Sequence, residues 1–182
     1  MAGSLSDITA NKVVDPLTGL PNRMQLHDRL EHVLSPTEAS PAGLCAVLLL
    51  DLDGYQLVAD GHGQSHADEL LRAVAQRLES SLRLTDAVAR PADIAQAHTL
   101  ARLGGDEFVL VLHQVRDAVD ATRVAERLQR VLARPFVIRE QELFITASIG
   151  IALAAPGATP DDLLRDADTA MTRVDATRVA ER

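Results

Sequence analysis

The sequence predicts an α/β domain: a mixed, largely antiparallel central sheet with helices covering its faces. Three observations carry this. Segments with helical apolar spacing alternate with short apolar runs. One pair of apolar runs flanks Gly104-Gly105, the pattern of a β-hairpin. The length, 182 residues, suits one compact domain plus tails.

The elements follow in order. Residues 1–14 form a weakly patterned leader. Asp15-Pro16-Leu17-Thr18-Gly19-Leu20-Pro21-Asn22-Arg23 is rich in turn formers. Asn22 is placed to cap a helix running to about Leu34, with Leu26, Leu30 and Val33 on one face. Ser35 to Gly43 carries two prolines and reads as a loop. The continuous apolar run Leu44 to Leu50 reads as a buried strand ending at Asp51-Leu52-Asp53. Residues 54–64 contain three glycines and read as irregular or weakly helical. From Ser65 to Leu82 the spacing of Leu70, Leu71, Val74, Leu78 and Leu82 predicts an amphipathic helix whose stripe is core. Then come the hairpin, Thr99–Leu103 and Phe108–Leu112, and a helix from Asp117 to Leu132. Phe136–Ile138 and Leu143–Leu153 read as strands, and Pro160 opens a last helix. Nine residues, Val119 to Arg127, recur identically as Val174 to Arg182. A repeat architecture needs a fixed period and several copies. A duplication, an altered C-terminus or two helices sharing a sequence all fit.

Composition narrows the function. Hydrophobic residues make up 47% and charged residues 24%, as in a folded domain. Three Phe, one Tyr and no Trp leave little for stacking on nucleic-acid bases. The net charge of −8 disfavours binding to polynucleotides or anionic membranes. A nucleotide remains compatible if a metal ion bridges the two negative partners. The single cysteine, Cys45, excludes an internal disulfide and reads as a small core residue. No apolar stretch approaches the ~20 residues of a membrane span, and Met1-Ala2-Gly3-Ser4 does not open a signal peptide. A cytoplasmic domain is expected.

Two acidic clusters follow predicted strands: Asp51-Leu52-Asp53, and Asp106-Glu107 in the hairpin turn. Crowded carboxylates repel unless a cation joins them. Mg²⁺ takes one or two carboxylates and completes its shell with water and phosphate oxygens. This points to phosphoryl or nucleotidyl transfer. The plainer reading, acids solvating a turn, is the commoner one for an isolated Asp-x-Asp. Gly104 and Gly105 favour the first, because glycines let backbone N–H groups approach a phosphate. His62 and His66 have the i, i+4 spacing of a ligand pair, but no third ligand suggests itself, and solvated histidines are the simpler reading.

Gly104-Gly105-Asp106-Glu107-Phe108 matches the signature of the GGDEF family, the diguanylate cyclases. Asp15-x-Leu17-Thr18-Gly19-Leu20-x-Asn22-Arg23 resembles that family's entry motif, and Asp51-Leu52-Asp53-Gly54-Tyr55 its Asp-x-Asp-x-Phe. Thr146 to Ala152 and Ala167 to Met171 resemble its late strand and last helix. The resemblance covers residues 12–175. It implies a sheet like that of class III nucleotide cyclases and polymerase palms. It implies condensation of two GTP to cyclic di-GMP and pyrophosphate by two domains facing each other as a homodimer. Mg²⁺, or Mn²⁺, would be held by Asp51, the Leu52 carbonyl, Asp106 and Glu107. Asp106 and Glu107 would also assist deprotonation of the attacking hydroxyl. Gly104 and Gly105 would lie against the phosphates, and Asp68 would read guanine. Residues 134–153 look most like GGDEF domains that precede an EAL phosphodiesterase domain. An EAL or sensory domain in a longer chain is thus an implied partner.

Departures from the family pattern qualify this. Gln56 stands where the family usually has Lys, and Ala59 replaces the Asn that reads the guanine edge. Asp175 and Val179 replace a Lys and an Arg that contact the triphosphate, and both lie in the repeated nonapeptide. A lost neutral hydrogen bond costs about 0.5–1.5 kcal/mol, so weaker GTP binding and looser base selectivity are expected. Arg83-Leu84-Thr85-Asp86 has the letters of the family's product-inhibition motif, but it lies too far before Gly104. Residues 91–102 read as an insertion between the two. Two functions follow: a weak diguanylate cyclase, or a degenerate GGDEF module that binds GTP or protein partners and regulates a neighbouring domain.

Overall fold

The computed structural model describes residues 13–35, 44–85 and 98–180. Its elements are α1 (Arg23–Leu34), β1 (Leu44–Asp53), α2 (Tyr55–His62), α3 (Gln64–Thr85), β2 (His98–Gly104), β3 (Glu107–Val115), α4 (Ala118–Leu132), β4 (Phe136–Ile138), β5 (Gln141–Leu143), β6 (Thr146–Leu153) and α5 (Pro160–Ala180). A four-stranded sheet has the order β2-β3-β1-β6, with every neighbouring pair antiparallel. β4 and β5 form a separate two-stranded ribbon.

Helices cover both faces of the sheet, so β1 is apolar on both sides: Cys45 to Leu50 are all buried. Successive side chains alternate between faces. Leu48, Leu50, Phe108 and Leu110 pack with Leu70, Leu78 and Leu128 from α3 and α4. Cys45, Val47, Leu49 and Val109 pack with Leu26, Leu30, Leu163 and Met171 from α1 and α5. The Leu70–Leu82 stripe is core, as its spacing predicts, and Cys45 is buried. Asn22 caps α1, accepting from the Gln25 amide at 3.1 Å, and Asp117 caps α4 through the Asp120 amide at 3.0 Å.

α5 lies close against β6 because residue 150 is glycine. A Cβ there would fall 1.9 Å from the Ala167 carbonyl oxygen and 2.7 Å from the Met171 nitrogen. The late-strand motif thus sets the distance between the sheet and the last helix.

Of the two readings of 54–64, irregular or weakly helical, the helical one holds: Gly54, with φ 86, starts α2, and Gly63, with φ 87, turns the chain into α3. Two expectations need correction. β1 does not stop at Leu50 but runs through Asp53, because β3 and β6 extend alongside it to Glu107 and Thr146. The strand expected over 143–153 is two, β5 and β6, separated by Phe144 and Ile145. Both copies of the repeated peptide fall on helices, Val119–Arg127 in α4 and Val174–Ala180 in α5. Of the stretch 91–102, residues 98–102 belong to β2 and the rest lies outside the described residues.

Candidate active site

The acidic residues meet at one end of the sheet. Asp51 on β1 is the direct cross-strand partner of Glu107 on β3, and of Ser148 on β6. By alternation Asp51, Asp53 and Glu107 share the face that packs against α1 and α5. Asp106 sits in the β2–β3 turn, and its carbonyl accepts from the Leu52 amide at 3.3 Å. That bond clips the turn to β1 between the two aspartates. Leu52 itself is buried in the core.

The two aspartates of β1 differ in their surroundings. Asp53 accepts from the Thr146 hydroxyl at 2.7 Å and the Ser148 hydroxyl at 2.9 Å, which joins β1 to β6. Its carboxylate is committed to the fold. Asp51, one register step closer to the hairpin, faces Glu107. Asp51, Asp106 and Glu107 are half-buried, an all-oxygen donor set suited to a hard divalent cation. They are register neighbours rather than a closed cage. Among the described residues, three ligand atoms converge within 4.8 Å only at His27, Asp28 and Glu31 on the surface of α1.

Gly104 and Gly105 hold φ values of 142 and 50, and a Cβ at either position would meet nothing within 4 Å. Their conformation calls for glycine, and the space beside them is open. Such a turn can offer backbone N–H groups to an anion.

Arg102 braces this turn, a role the sequence reading did not assign. Its Nη2 and Nε donate to the Gly105 carbonyl at 2.7 and 3.1 Å, and its Nη1 donates to Asp15 Oδ1 at 2.8 Å. The Arg102 amide also donates to the Pro21 carbonyl. Asp15 accepts in addition from the Thr18 amide and hydroxyl at 2.8 and 2.6 Å. Burial pushes the Asp15 carboxyl up, but the Thr18 hydrogen bonds and the Arg102 guanidinium outweigh it and hold the carboxyl below its ordinary value. The entry motif is therefore a clamp: Asp15 locks its own turn and, through Arg102, 87 residues later, the glycine turn.

Asp68 lies near the start of α3. It accepts from Gln64 Nε2 at 2.8 Å, and the same nitrogen lies 3.4 Å from the Tyr55 hydroxyl. Ala59 is half-buried on α2 against the core. Positions 175 and 179 fall on α5. Arg83 is exposed in the last turn of α3, and Asp86 lies outside the described residues. The His62 and His66 rings are 5.7 Å apart, and no third ligand joins them among the described residues.

A family model described as the diguanylate cyclase GGDEF domain matches residues 12–94 and 92–179. The chain belongs to the GGDEF family. This GGDEF domain is 42% identical over 158 residues to MucR of Pseudomonas aeruginosa, a bifunctional diguanylate cyclase and cyclic di-GMP phosphodiesterase; the match covers 86% of the chain and 21% of MucR. It thus spans about a fifth of that relative. It superposes on the GGDEF domain of TpbB (YfiN) from Pseudomonas aeruginosa with a TM-score of 0.77 at 31% identity, covering 90% of this chain and 89% of the other. A sensory box/GGDEF family protein from Caulobacter crescentus gives 0.76 at 35% identity, covering 91% and 99%. The palm-like sheet implied by the motifs is the fold observed. No helix among the described residues is long and apolar enough to cross a membrane.

Proposed function

We propose that this domain binds GTP together with Mg²⁺ or Mn²⁺ at the β1–β3 end of the sheet and slowly condenses two GTP into cyclic di-GMP. The observation that carries the reading is the register pairing of Asp51 with Glu107, beside Asp106 in an open glycine turn. Asp51, Asp106, Glu107 and the Leu52 carbonyl would hold the ion. Once bound, it supplies charge neutralisation for the triphosphate and acidifies the attacking hydroxyl.

The chain's own residues do the rest. The turn amides of Gly104 and Gly105 lie against the phosphates. Asp68 accepts hydrogen bonds from the guanine edge. Glu107, with Asp106, takes the proton as the 3′-hydroxyl of one GTP attacks the α-phosphate of the other. The new phosphodiester forms as the bond to pyrophosphate breaks, and the same exchange in the opposite direction closes the ring. Two domains must face each other, so a homodimer is the working unit, and its proximity lowers the barrier. Ala59 and Asp175 weaken the occupancy of each half-site, and occupancy counts twice. The domain would work in the cytoplasm, within a longer chain carrying a sensory or EAL domain.

A second reading is favoured by those same substitutions: a GGDEF module that binds GTP and regulates its neighbour without turnover. Incubation with GTP and Mg²⁺, followed by product chromatography with EDTA as control, separates the two.

A further inference from the structure

The tip of the β4–β5 ribbon carries the one pair of non-glycine residues at positive φ among the described residues: Arg139 at 48 and Glu140 at 66. Ile138 pairs with Gln141, so the loop between them has two residues and both are left-handed. Such loops ordinarily use Asn-Gly or Asp-Gly, because a Cβ is disfavoured there. Here the strained position is occupied by an arginine that reaches a residue 70 positions away. Arg139 Nε donates to Glu69 Oε1 at 2.8 Å, and its Nη2 contacts the same oxygen. The side chains are 51% and 34% exposed. An exposed pair of this kind adds little to overall stability. A strained turn kept for an ion pair of little stabilising value points to geometry as its purpose.

Glu69 is next to Asp68, and both lie near the N-terminal end of α3, just after the left-handed Gly63 that separates α3 from α2. Ala67, Leu70 and Leu71 anchor this end of α3 in the core, while its polar face is tied by Gln64, which bridges to Asp68 and Tyr55, and by the Arg139 pair, which joins it to the ribbon. We infer that Arg139 is a positioning residue: through Glu69 it fixes the end of α3 so that the Asp68 carboxylate meets the donor edge of the nucleotide base. This rests on the reading of Asp68 as a base acceptor. It adds that base selectivity in this chain is set partly from the β4–β5 ribbon.

The test uses selectivity, which a purely structural pair would not move. Guanine offers a carboxylate two donors, N1–H and the 2-amino group, whereas inosine triphosphate lacks the second. Calorimetry with Mg²⁺ should show the intact domain preferring GTP over inosine triphosphate. Arg139→Asn suits the left-handed turn and removes the pair, so it should fold with an unchanged or higher Tm. It should lose roughly three- to tenfold in GTP affinity and clearly less for inosine triphosphate, which has only the N1–H bond to lose, so the preference for GTP should shrink. Glu69→Gln should do the same, and the charge swap Arg139→Glu with Glu69→Arg should restore part of the preference. If the intact domain prefers GTP and Arg139→Asn keeps that preference, the positioning role is wrong. If the intact domain binds both nucleotides equally, the role of Asp68 fails and this inference with it. An equal loss for both nucleotides in Arg139→Asn also overturns it.

Discussion

Arg102→Ala should unfasten the entry motif from the glycine turn, and its cost follows from the contacts. The guanidinium makes one charge-assisted bond to Asp15 and two to the Gly105 carbonyl, and the Arg102 and Asp15 side chains are only 10% and 13% exposed. Hydrogen bonds to charged groups contribute about 1.5–3 kcal/mol each. Breaking a buried pair from one side costs about 3–5 kcal/mol. Asp15 keeps its two bonds from Thr18, which places the loss near the lower end, about 3 kcal/mol. For a domain of this size that is a fall in Tm of about 6–12 °C. The pH dependence has a definite sign. The Asp15 carboxyl is lowered in the folded state from 3.8, so its stabilisation is complete above that value and lost as pH falls through the lowered one. The gap between the intact domain and the variant should therefore narrow in acid. Thermal melts followed by circular dichroism, from neutral pH down to about pH 3, read both effects. A drop below about 2 °C at neutral pH, or a gap that widens in acid, would refute the clamp.

Other outcomes follow from single sites. Gly150→Ala should destabilise by about 1–3 kcal/mol in denaturant melts, because the added Cβ meets the Ala167 carbonyl at 1.9 Å and α5 must move away. Cys45 should resist Ellman's reagent in the folded domain and react on unfolding, since burial pushes its thiol up to about 11. The stability linked to that thiol is complete below its ordinary 9.0 and is lost as pH rises through about 11, which alkaline melts of Cys45→Ala against the intact domain would reveal. Ala59→Asn combined with Asp175→Lys should raise cyclic di-GMP formation. A tenfold gain in affinity per half-site gives about a hundredfold in rate below saturation, because 1.4 kcal/mol per site counts twice. Product chromatography at low GTP measures this, and no gain would mean that those positions do not limit binding.

Much of the fold was legible in the sequence because its signals are local. The Leu44–Leu50 run, the Gly104-Gly105 hairpin and the Leu70–Leu82 stripe each announce their element in the residues themselves. The segment 54–64 was legible only as irregular or weakly helical: its glycines serve as helix junctions at Gly54 and Gly63, a role that depends on φ and not on composition. The ends of β1 and β6 were set by partners far along the chain, which no local window contains. At the site, the residue types were readable, but the contacts that hold them in place were not. The Thr146 and Ser148 hydroxyls that engage Asp53 lie on β6, more than 90 residues further along the chain. Arg102 and Arg139 act through residues 87 and 70 positions away, so neither stands out until the chain is folded.

The role proposed for the carboxylates of Asp51, Asp106 and Glu107 is metal-dependent cyclisation of GTP. The most direct measurement is chromatography of the nucleotides formed when the purified domain is incubated with GTP and Mg²⁺ over a range of protein concentrations. Slow formation of cyclic di-GMP and pyrophosphate is expected. The rate per molecule should rise with protein concentration, and product should be absent with EDTA or in Glu107→Gln. GTP binding without cyclic di-GMP at any protein concentration would contradict it and leave the regulatory module as the function of this domain.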